Sequence, residues 1–471
     1  MTADVTHTVP PRSHDGIMVE RDLRIPTDTP GVTLSADLYR PSTTDPVPAL
    51  VTVLPYRKDY VAGSTYDAPA RWFAAHGYAS VVVDLRGTGA SDGIRRPEFD
   101  PGDGDDAVAA IDWSAGQSWC DGSVGAWGMS YAANTTLRAA SRQPPALRAI
   151  IAVAHTLDAG RHSVHPDGAR GDLHALLNRG TSMLLQQWLP PLADHASPEA
   201  QARWRQRLHD VEPALLDYAR RGPDHPSWSD DAILGEDITV PTLMVGGWRD
   251  SFAGGLTEAY QRLAGPKRLV MGPWGHVLPH ESGHGPIDFL ALALRWWNEW
   301  LRGDPPSRDP LAAPVLLSLG ETEWRAYDTW PPTTTSQRLV AAADVLVPSG
   351  DQFVVPRQPA GPPEPVGHYV PDPTVGMLRG LPGLGLGESC PPQDQHDDDL
   401  RCVHTTAAPL PADVVVAGQP EVTVRLDAAV ARVVVRLCAV ACRPPYAATR
   451  RRRPGARERT WRRSVCAPES T

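Results

Sequence analysis

The sequence lacks the features that insert a chain into a membrane or carry it through one. No apolar run approaches the roughly eighteen residues that a transmembrane helix needs. The first fifteen residues are polar and contain proline, without the apolar centre of a signal peptide. We therefore expect a cytoplasmic protein with no membrane partner.

Cysteine and lysine are also rare, and the chain has no net positive charge. The six cysteines among 471 residues have neither metal-ligand nor disulfide-framework spacing, which predicts reduced thiols. Lysine occurs only at positions 58 and 267, and the arginine found elsewhere indicates a G+C-rich coding sequence. The formal net charge of −10 argues against nucleic acid as a partner, because polyanions need a basic surface.

Apolar patterning predicts one α/β sheet. Alternating runs at residues 17–25 and 32–39 indicate an antiparallel hairpin at a sheet edge. After residue 48 the strands become continuously apolar, as in a parallel sheet covered by helices. These strands are predicted at residues 49–54, 79–85, 124–129, 147–154, 242–246 and 268–271. Helices are predicted at residues 68–76, 104–116, 132–142 and 256–264, and around 290–300.

The predicted sheet is interrupted once. Residues 1–154 and 238–305 form the α/β domain, while residues 155–237 are rich in helix formers. An insertion at this point would lie over the carboxyl ends of the strands as a helical cap. Residues 306–442 hold short β-type runs with Pro and Gly, which predict a β-sandwich beginning near residue 310.

The last segment, residues 443–471, differs from the rest. Its nine arginines against two glutamates give it a charge of +7, so the preceding residues carry −17. With almost no alternating apolar pattern, it is predicted to be disordered. It is either a basic tail for an acidic partner or the product of a reading frame lost near residue 440. A lost frame would leave the β domain truncated, and the coding DNA decides between the two.

The candidate nucleophile is Ser130. The segment V-G-A-W-G-M-S-Y at residues 124–131 is a short apolar strand that runs into a Gly-x-Ser turn and then a helix. A tight strand-to-helix turn favours glycine at position 128 and presents the serine oxygen, as in a nucleophile elbow. A lone G-x-S is also common in ordinary turns, so its partners decide the interpretation.

Two partners follow other predicted strands. Asp250 follows one strand and could instead cap the helix at 256–264, and His276 lies in a Gly/Pro loop after the last parallel strand. The carboxyl ends of parallel strands share one sheet edge, and the chain order Ser, Asp, His is that of an α/β-hydrolase triad. An oxyanion would be bound by the Tyr131 backbone N–H and the Tyr56 hydroxyl.

These motifs resemble the X-prolyl dipeptidyl-peptidase and cocaine-esterase (CocE/NonD) family of serine hydrolases. The resemblance covers roughly residues 17–440, and alanine stands at position 133 where the family has glycine. The matched motifs are P-Y-x-K at 55–58, R-G-x-G-x-S-x-G at 86–93, W-x-D-G-x-V-G at 119–125, G-x-S-Y at 128–131, G-G-W-x-D at 246–250 and G-P-W-x-H at 272–276.

The resemblance implies an α/β-hydrolase domain with an inserted helical cap, followed by an incomplete β jelly-roll domain. It also implies a Ser130–Asp250–His276 triad, assistance from Tyr56 and no cofactor. Substrates would be small esters, amides or short peptides, with esters preferred over X-Pro amides because no clamp for a free amine is evident. Phe252 would line the acyl pocket or simply pack in the core. No oligomeric state is predicted.

Other motifs suggest rival functions. H-E-x-x-H at residues 280–284 is the signature of a zinc metallohydrolase, but the surrounding Gly and Pro disfavour the helix it needs. The glycines at 87–93 have the wrong spacing for a dinucleotide loop. Acidic residues at 100–106 could bind calcium, but helix N-terminal charge is the preferred explanation. A catalytically impaired hydrolase fold is the non-enzymatic alternative.

Overall fold

The structure is a computed structural model. It describes residues 16–59, 61–166, 180–192, 197–306, 312–336, 339–342, 345–348, 401–403, 406–407, 410, 412 and 414–423. The chain divides into two compact units, and the described residues up to Trp330 belong to the first.

Ten strands of the first unit form one mixed sheet. Their ranges are β1 Ile17–Pro26, β2 Thr33–Pro41, β3 Val47–Leu54, β4 Ala79–Asp84, β5 Cys120–Met129, β6 Leu147–Val153, β7 Thr242–Gly247, β8 Lys267–Gly272, β9 Val315–Leu319 and β10 Glu323–Tyr327. The order across the sheet is β1-β2-β4-β3-β5-β6-β7-β8-β9-β10. Neighbours from β4 to β9 are parallel, whereas β1, β2 and β10 add antiparallel edges. The predicted edge hairpin and all six predicted parallel strands are confirmed.

Helices cover the sheet because its central strands are apolar on both faces. Every residue of β4, for example, is buried. The α-helices are α1 Val61–Ala75, α2 Asp103–Ala115, α3 Tyr131–Ser141, α4 Thr181–Trp188, α5 Pro198–Arg207, α6 Ala214–Arg220, α7 Ser227–Asp230, α8 Ala253–Arg262 and α9 Phe289–Leu301. A large core forms where α9 buries Trp296 and Trp297 against the sheet. Gly125 of β5 is needed there, since a Cβ at this position would lie 2.9 Å from the Trp297 ring.

The segment between β6 and β7 is helical where it is described. It contains α4 to α7, a π-helical turn at Gly160–Val164 and a 3-10 turn at Gly235–Asp237. This agrees with the helical character predicted for residues 155–237. None of the helices in the described ranges is long and apolar enough to cross a bilayer.

The main sheet extends further along the chain than the sequence predicts. β9 and β10 fall in the range 306–442 that we assigned to a separate β domain. In the structure β9 pairs in parallel with β8, and β10 turns back antiparallel beside β9. The alternation of short apolar strands is the same in either sheet, so it does not reveal which sheet a strand joins. The α/β sheet therefore ends at Tyr327 and not near residue 305.

The second unit contains a three-stranded sheet. Its strands are β11 Leu339–Ala342, β12 Val345–Pro348 and β13 Thr406–Ala407, in that order. β11 and β12 are antiparallel, and β12 and β13 are parallel. Much of the range 306–442 and all of 443–471 lie outside the described residues, so the jelly-roll and the basic tail stay predictions.

Candidate active site

Ser130 occupies a strained turn between β5 and α3. Its φ of 59° is unusual for a residue with a side chain, and such strain persists only where neighbours impose it. The Ser130 N–H donates to Val153 O at 2.9 Å, and its carbonyl accepts from Ala133 N at 2.9 Å. A Cβ on Gly128 would lie 2.4 Å from Ala132, so the close crossing of strand and helix requires glycine. The geometry is that of the predicted nucleophile elbow.

The structure brings Ser130, His276 and Asp250 together in one hydrogen-bonded line. His276 Nε2 lies 2.9 Å from Ser130 Oγ, and His276 Nδ1 lies 2.9 Å from Asp250 Oδ2. The Asp250 side chain is 1% exposed and that of His276 is 26% exposed. A buried carboxylate thus orients an imidazole that solvent and small molecules can reach. This arrangement can remove the proton from a serine hydroxyl.

Asp250 is not a side-chain cap for the following helix. The residue at the N-cap of α8 is Phe252, and no side chain caps that helix. Asp250 Oδ1 accepts the Phe252 N–H at 3.0 Å, which leaves Oδ2 facing His276. One backbone bond therefore fixes the rotation of the carboxylate towards the histidine.

Tyr131, the residue after the candidate nucleophile, is held by its phenol. The hydroxyl donates to Asp103 Oδ2 at 2.6 Å and accepts from Phe99 N at 2.7 Å and from the Arg95 guanidinium at 2.5 Å. Arg95 and Asp103 form a two-bond ion pair beside it, at 2.9 and 3.0 Å. Burial raises the pKa of Tyr131 well above its ordinary value, so the phenol stays protonated. No motif or periodicity in the sequence indicates this network.

A row of aromatic rings joins Tyr131 to His276. Phe99 stacks on Tyr131 at 5.0 Å between centroids and lies 5.9 Å from His155. His155 lies 5.1 Å from Phe252, and Phe252 lies 5.5 Å from His276. Phe252 therefore lies beside the histidine, and its place in an acyl pocket stays a prediction. Phe99 and His155 were missed, because a lone aromatic in a loop carries no signal in the sequence.

Tyr56 lies in the loop that follows β3. Its ring centroid is 6.3 Å from that of Tyr131, and the two rings meet edge to face at 81°. The side chain is partly buried and packs against the main apolar core. The next residue, Arg57, has a φ of 67°, so the backbone of this loop is also strained. The structure thus places Tyr56 close to the elbow.

The helical segment between β6 and β7 contacts the loops that follow β3 and β4. The Arg207 guanidinium of α5 donates to Ser91 O at 2.8 Å and to Gly89 O at 3.1 Å. Arg57 in turn donates to Pro190 O at 2.5 Å. Both loops leave the carboxyl ends of parallel strands, the edge at which Ser130 lies.

The rival motifs have structural explanations. Residues 280–284 form turns, not a helix, with the His280 ring stacked on Phe289 at 6.0 Å and His284 Nδ1 3.1 Å from Glu321. Within the described residues, no group of three His, Cys, Asp or Glu is arranged to hold a metal. Asp106, in the acidic segment, is paired with Arg86 at 2.6 Å.

Comparisons with known proteins identify the family to which the chain belongs. The profile of the X-Pro dipeptidyl-peptidase (S15) family matches residues 30–278. The cocaine esterase of Rhodococcus sp. (strain MB1 Bresler) is 30% identical over 340 residues, which are 64% of this chain and 58% of that protein.

Solved structures share the fold. A CocE/NonD family hydrolase from Staphylococcus aureus superposes with a TM-score of 0.56 at 19% identity, covering 70% of this chain and 60% of that one. An aminopeptidase from a marine sediment Thaumarchaeota archaeon gives 0.53 at 21% identity, covering 73% and 64%. The chain therefore spans less than two thirds of the length of these relatives.

Proposed function

Because the chain belongs to the X-Pro dipeptidyl-peptidase (S15) family, a family of serine hydrolases, we propose that it hydrolyses acyl esters or amides through an acyl-enzyme on Ser130. One observation carries this proposal, the unbroken hydrogen-bonded line from Ser130 through His276 to Asp250. Sequence similarity to the Rhodococcus cocaine esterase supports the same chemistry.

The proposed reaction has two halves. His276 Nε2 accepts the Ser130 proton as Oγ attacks the acyl carbon, and the buried Asp250 stabilises the resulting imidazolium. The imidazolium then returns the proton to the leaving alcohol or amine as the carbon–oxygen or carbon–nitrogen bond breaks. In the second half His276 takes a proton from a water that attacks the acyl carbon. The bond from that carbon to Ser130 Oγ then breaks, Oγ regains the proton from His276, and the carboxylic acid leaves the free enzyme.

Two donors would stabilise the tetrahedral oxyanion. We assign them to the Tyr131 backbone N–H, adjacent to the nucleophile, and to the Tyr56 hydroxyl. The phenol of Tyr131 is anchored by Asp103 at 2.6 Å, which limits movement of its backbone. Donors fixed before the reaction need no reorganisation when the negative charge develops.

The acyl group would lie against the aromatic row, with Phe252 nearest to the histidine. Phe252 is only 4% exposed, so only a small part of its ring would contact the substrate. The helices between β6 and β7 would act as the cap over this pocket, and the contacts of Arg207 with the loop after β4 support this role.

We further propose that esters are better substrates than X-Pro amides. An amide is the harder substrate because its amine leaves poorly without protonation, and the similarity to an esterase points the same way. A panel of nitrophenyl and benzoyl esters and a Gly-Pro nitroanilide tests this, with Ser130→Ala as the control. We expect nitrophenol release to be faster than nitroaniline release, and both to be lost in the variant. Faster nitroaniline release would reverse the preference.

A fluorophosphonate separates the serine mechanism from its rivals. Mass spectrometry should show one adduct, on the peptide that contains Ser130, and none in Ser130→Ala. Active enzyme that is not labelled, or that loses activity to a chelator, would contradict the proposal. If Ser130 is labelled but the protein hydrolyses no member of the panel, the assignment of Ser130 as nucleophile stands and the proposed substrate class is wrong.

A further inference from the structure

Asp84, the last residue of β4, carries a buried carboxylate for which the proposed reaction has no direct use. Its side chain is 0% exposed and lies beneath the loop that holds Tyr56. Oδ1 accepts the Lys58 N–H at 2.6 Å, and Oδ2 accepts the Ala90 N–H at 3.0 Å. The carboxylate therefore joins the loop after β3 to the loop after β4.

Both ends of the Tyr56 loop are fastened to the end of β4. On one side, Leu54 is the sheet partner of Asp84, and its carbonyl accepts the Leu85 N–H at 2.9 Å. On the other side, the backbone of Lys58 is bonded to the Asp84 carboxylate. Tyr56 lies midway between these two attachments.

The surroundings of Asp84 are built to keep this carboxylate in place. A Cβ on Gly89 would lie 2.1 Å from Asp84 Oδ2, so only glycine allows the second loop to close over it. Burial raises the pKa of Asp84 to about 6, and the nearby Lys58 ammonium opposes that rise. The carboxylate is therefore ionised above neutral pH, and bonds from N–H groups to an ionised acceptor are strong.

We propose that Asp84 is a positioning residue that holds the Tyr56 hydroxyl where the oxyanion forms. The proposal rests on the proposed function, because it assumes that Tyr56 is an oxyanion donor. The strained Arg57 backbone, with φ at 67°, gives the reason that such an attachment is needed. Without the bond at Lys58, the loop would relax and carry the hydroxyl away from the reacting carbon.

The test is a double-mutant cycle in the full chain at pH 8, with a nitrophenyl ester as substrate. An asparagine at position 84 has one oxygen and one NH2 group, so it must leave one of the two backbone N–H groups unbonded. We expect Asp84→Asn to lower kcat by about tenfold to a hundredfold with KM nearly unchanged. In the Tyr56→Phe background, the same change should lower kcat less than about threefold, since the hydroxyl is already absent.

Asp106→Asn is the matched control. Asp106 is equally buried, at 0% exposure, but it binds the Arg86 side chain and not the Tyr56 loop. The Asp106→Asn variant should lower the thermal midpoint without lowering kcat. If Asp84→Asn does not fold, Gly89→Ala is the second variant, because its added methyl group displaces the Asp84 carboxylate without removing the charge. Gly89→Ala should also lower kcat in the wild-type background and lower it much less in the Tyr56→Phe background.

The outcomes separate the two proposals. Equal losses of kcat in both backgrounds would overturn the positioning role and leave Asp84 a purely structural residue. A Tyr56→Phe variant with unchanged kcat would instead refute Tyr56 as an oxyanion donor. A folded wild-type protein that hydrolyses none of the test substrates and is not labelled at Ser130 would refute the proposed function itself.

Discussion

Gly128 and Ala132 lie so close together that a single methyl group would not fit between them. A Cβ built on Gly128 would be 2.4 Å from both the carbonyl carbon and the Cβ of Ala132. This contact joins the end of β5 to the first turn of α3 and sets the angle at which Ser130 leaves the strand.

Gly128→Ala should therefore disable the site. Overpacking of a tight contact commonly costs about 1–3 kcal/mol of unfolding free energy, and relief would require α3 to shift. We expect a lower thermal midpoint and loss of fluorophosphonate labelling at Ser130. Gly254→Ala is the control, because a Cβ there meets nothing within 4 Å, and it should keep full labelling. Normal labelling of Gly128→Ala would show that the elbow tolerates movement.

Tyr56→Phe should slow turnover far more than it weakens binding. Removal of one oxyanion donor commonly costs about 3 kcal/mol, or roughly a hundredfold in kcat. Steady-state kinetics with a nitrophenyl ester would show this loss with little change in KM. Tyr78→Phe is a suitable comparison, since its hydroxyl bonds to Asn298 at 2.7 Å in the core. That variant should lose some stability and keep its kcat.

His280→Ala and His284→Ala should retain activity. His280 stacks on Phe289, and His284 is paired with Glu321, so neither is expected to contact the substrate. Hydrolysis of the ester panel should stay within about threefold of wild type, whereas His276→Ala should abolish it. Loss of activity in both His280→Ala and His284→Ala, together with bound zinc, would revive the metallohydrolase interpretation.

Asp84 should make stability depend on pH. Burial raises its pKa from 3.8 to about 6, so the folded chain binds a proton in this range that the unfolded chain releases. Its contribution to stability is thus fully present below about pH 4 and is lost as pH rises through 6, a change of up to about 3 kcal/mol. Urea unfolding of wild type and Asp84→Asn across this range measures the difference. Parallel pH profiles would mean that Asp84 does not titrate there.

The elements that the sequence predicted well are those with a strong local pattern. A continuously apolar segment such as β4 or β6 needs burial on both faces, and the centre of a sheet covered by helices provides it. Ser130, Asp250 and His276 were predicted to meet because each follows a strand, and parallel strands bring their carboxyl ends to one edge. The six parallel strands and the meeting of the three central residues therefore followed from periodicity and motif order.

The supporting contacts could not be predicted in the same way. Arg95 and Asp103 pair across a loop that has no periodicity, and their common partner, the Tyr131 hydroxyl, lies 28 residues beyond Asp103. Asp84 looks like an ordinary residue at the end of a strand. Such pairs depend on how loops cross one another, which no short-range pattern encodes.

The extension of the sheet by β9 and β10 changes where the chain could be divided. The Trp324 ring of β10 lies 5.8 Å from Trp274, two residues before His276, and Trp248, two residues before Asp250, donates to Ser318 O at 3.1 Å. A gene cut after codon 305 would remove the neighbours of both loops and leave β8 as a bare edge. A minimal enzyme for engineering should therefore keep every residue through Trp330.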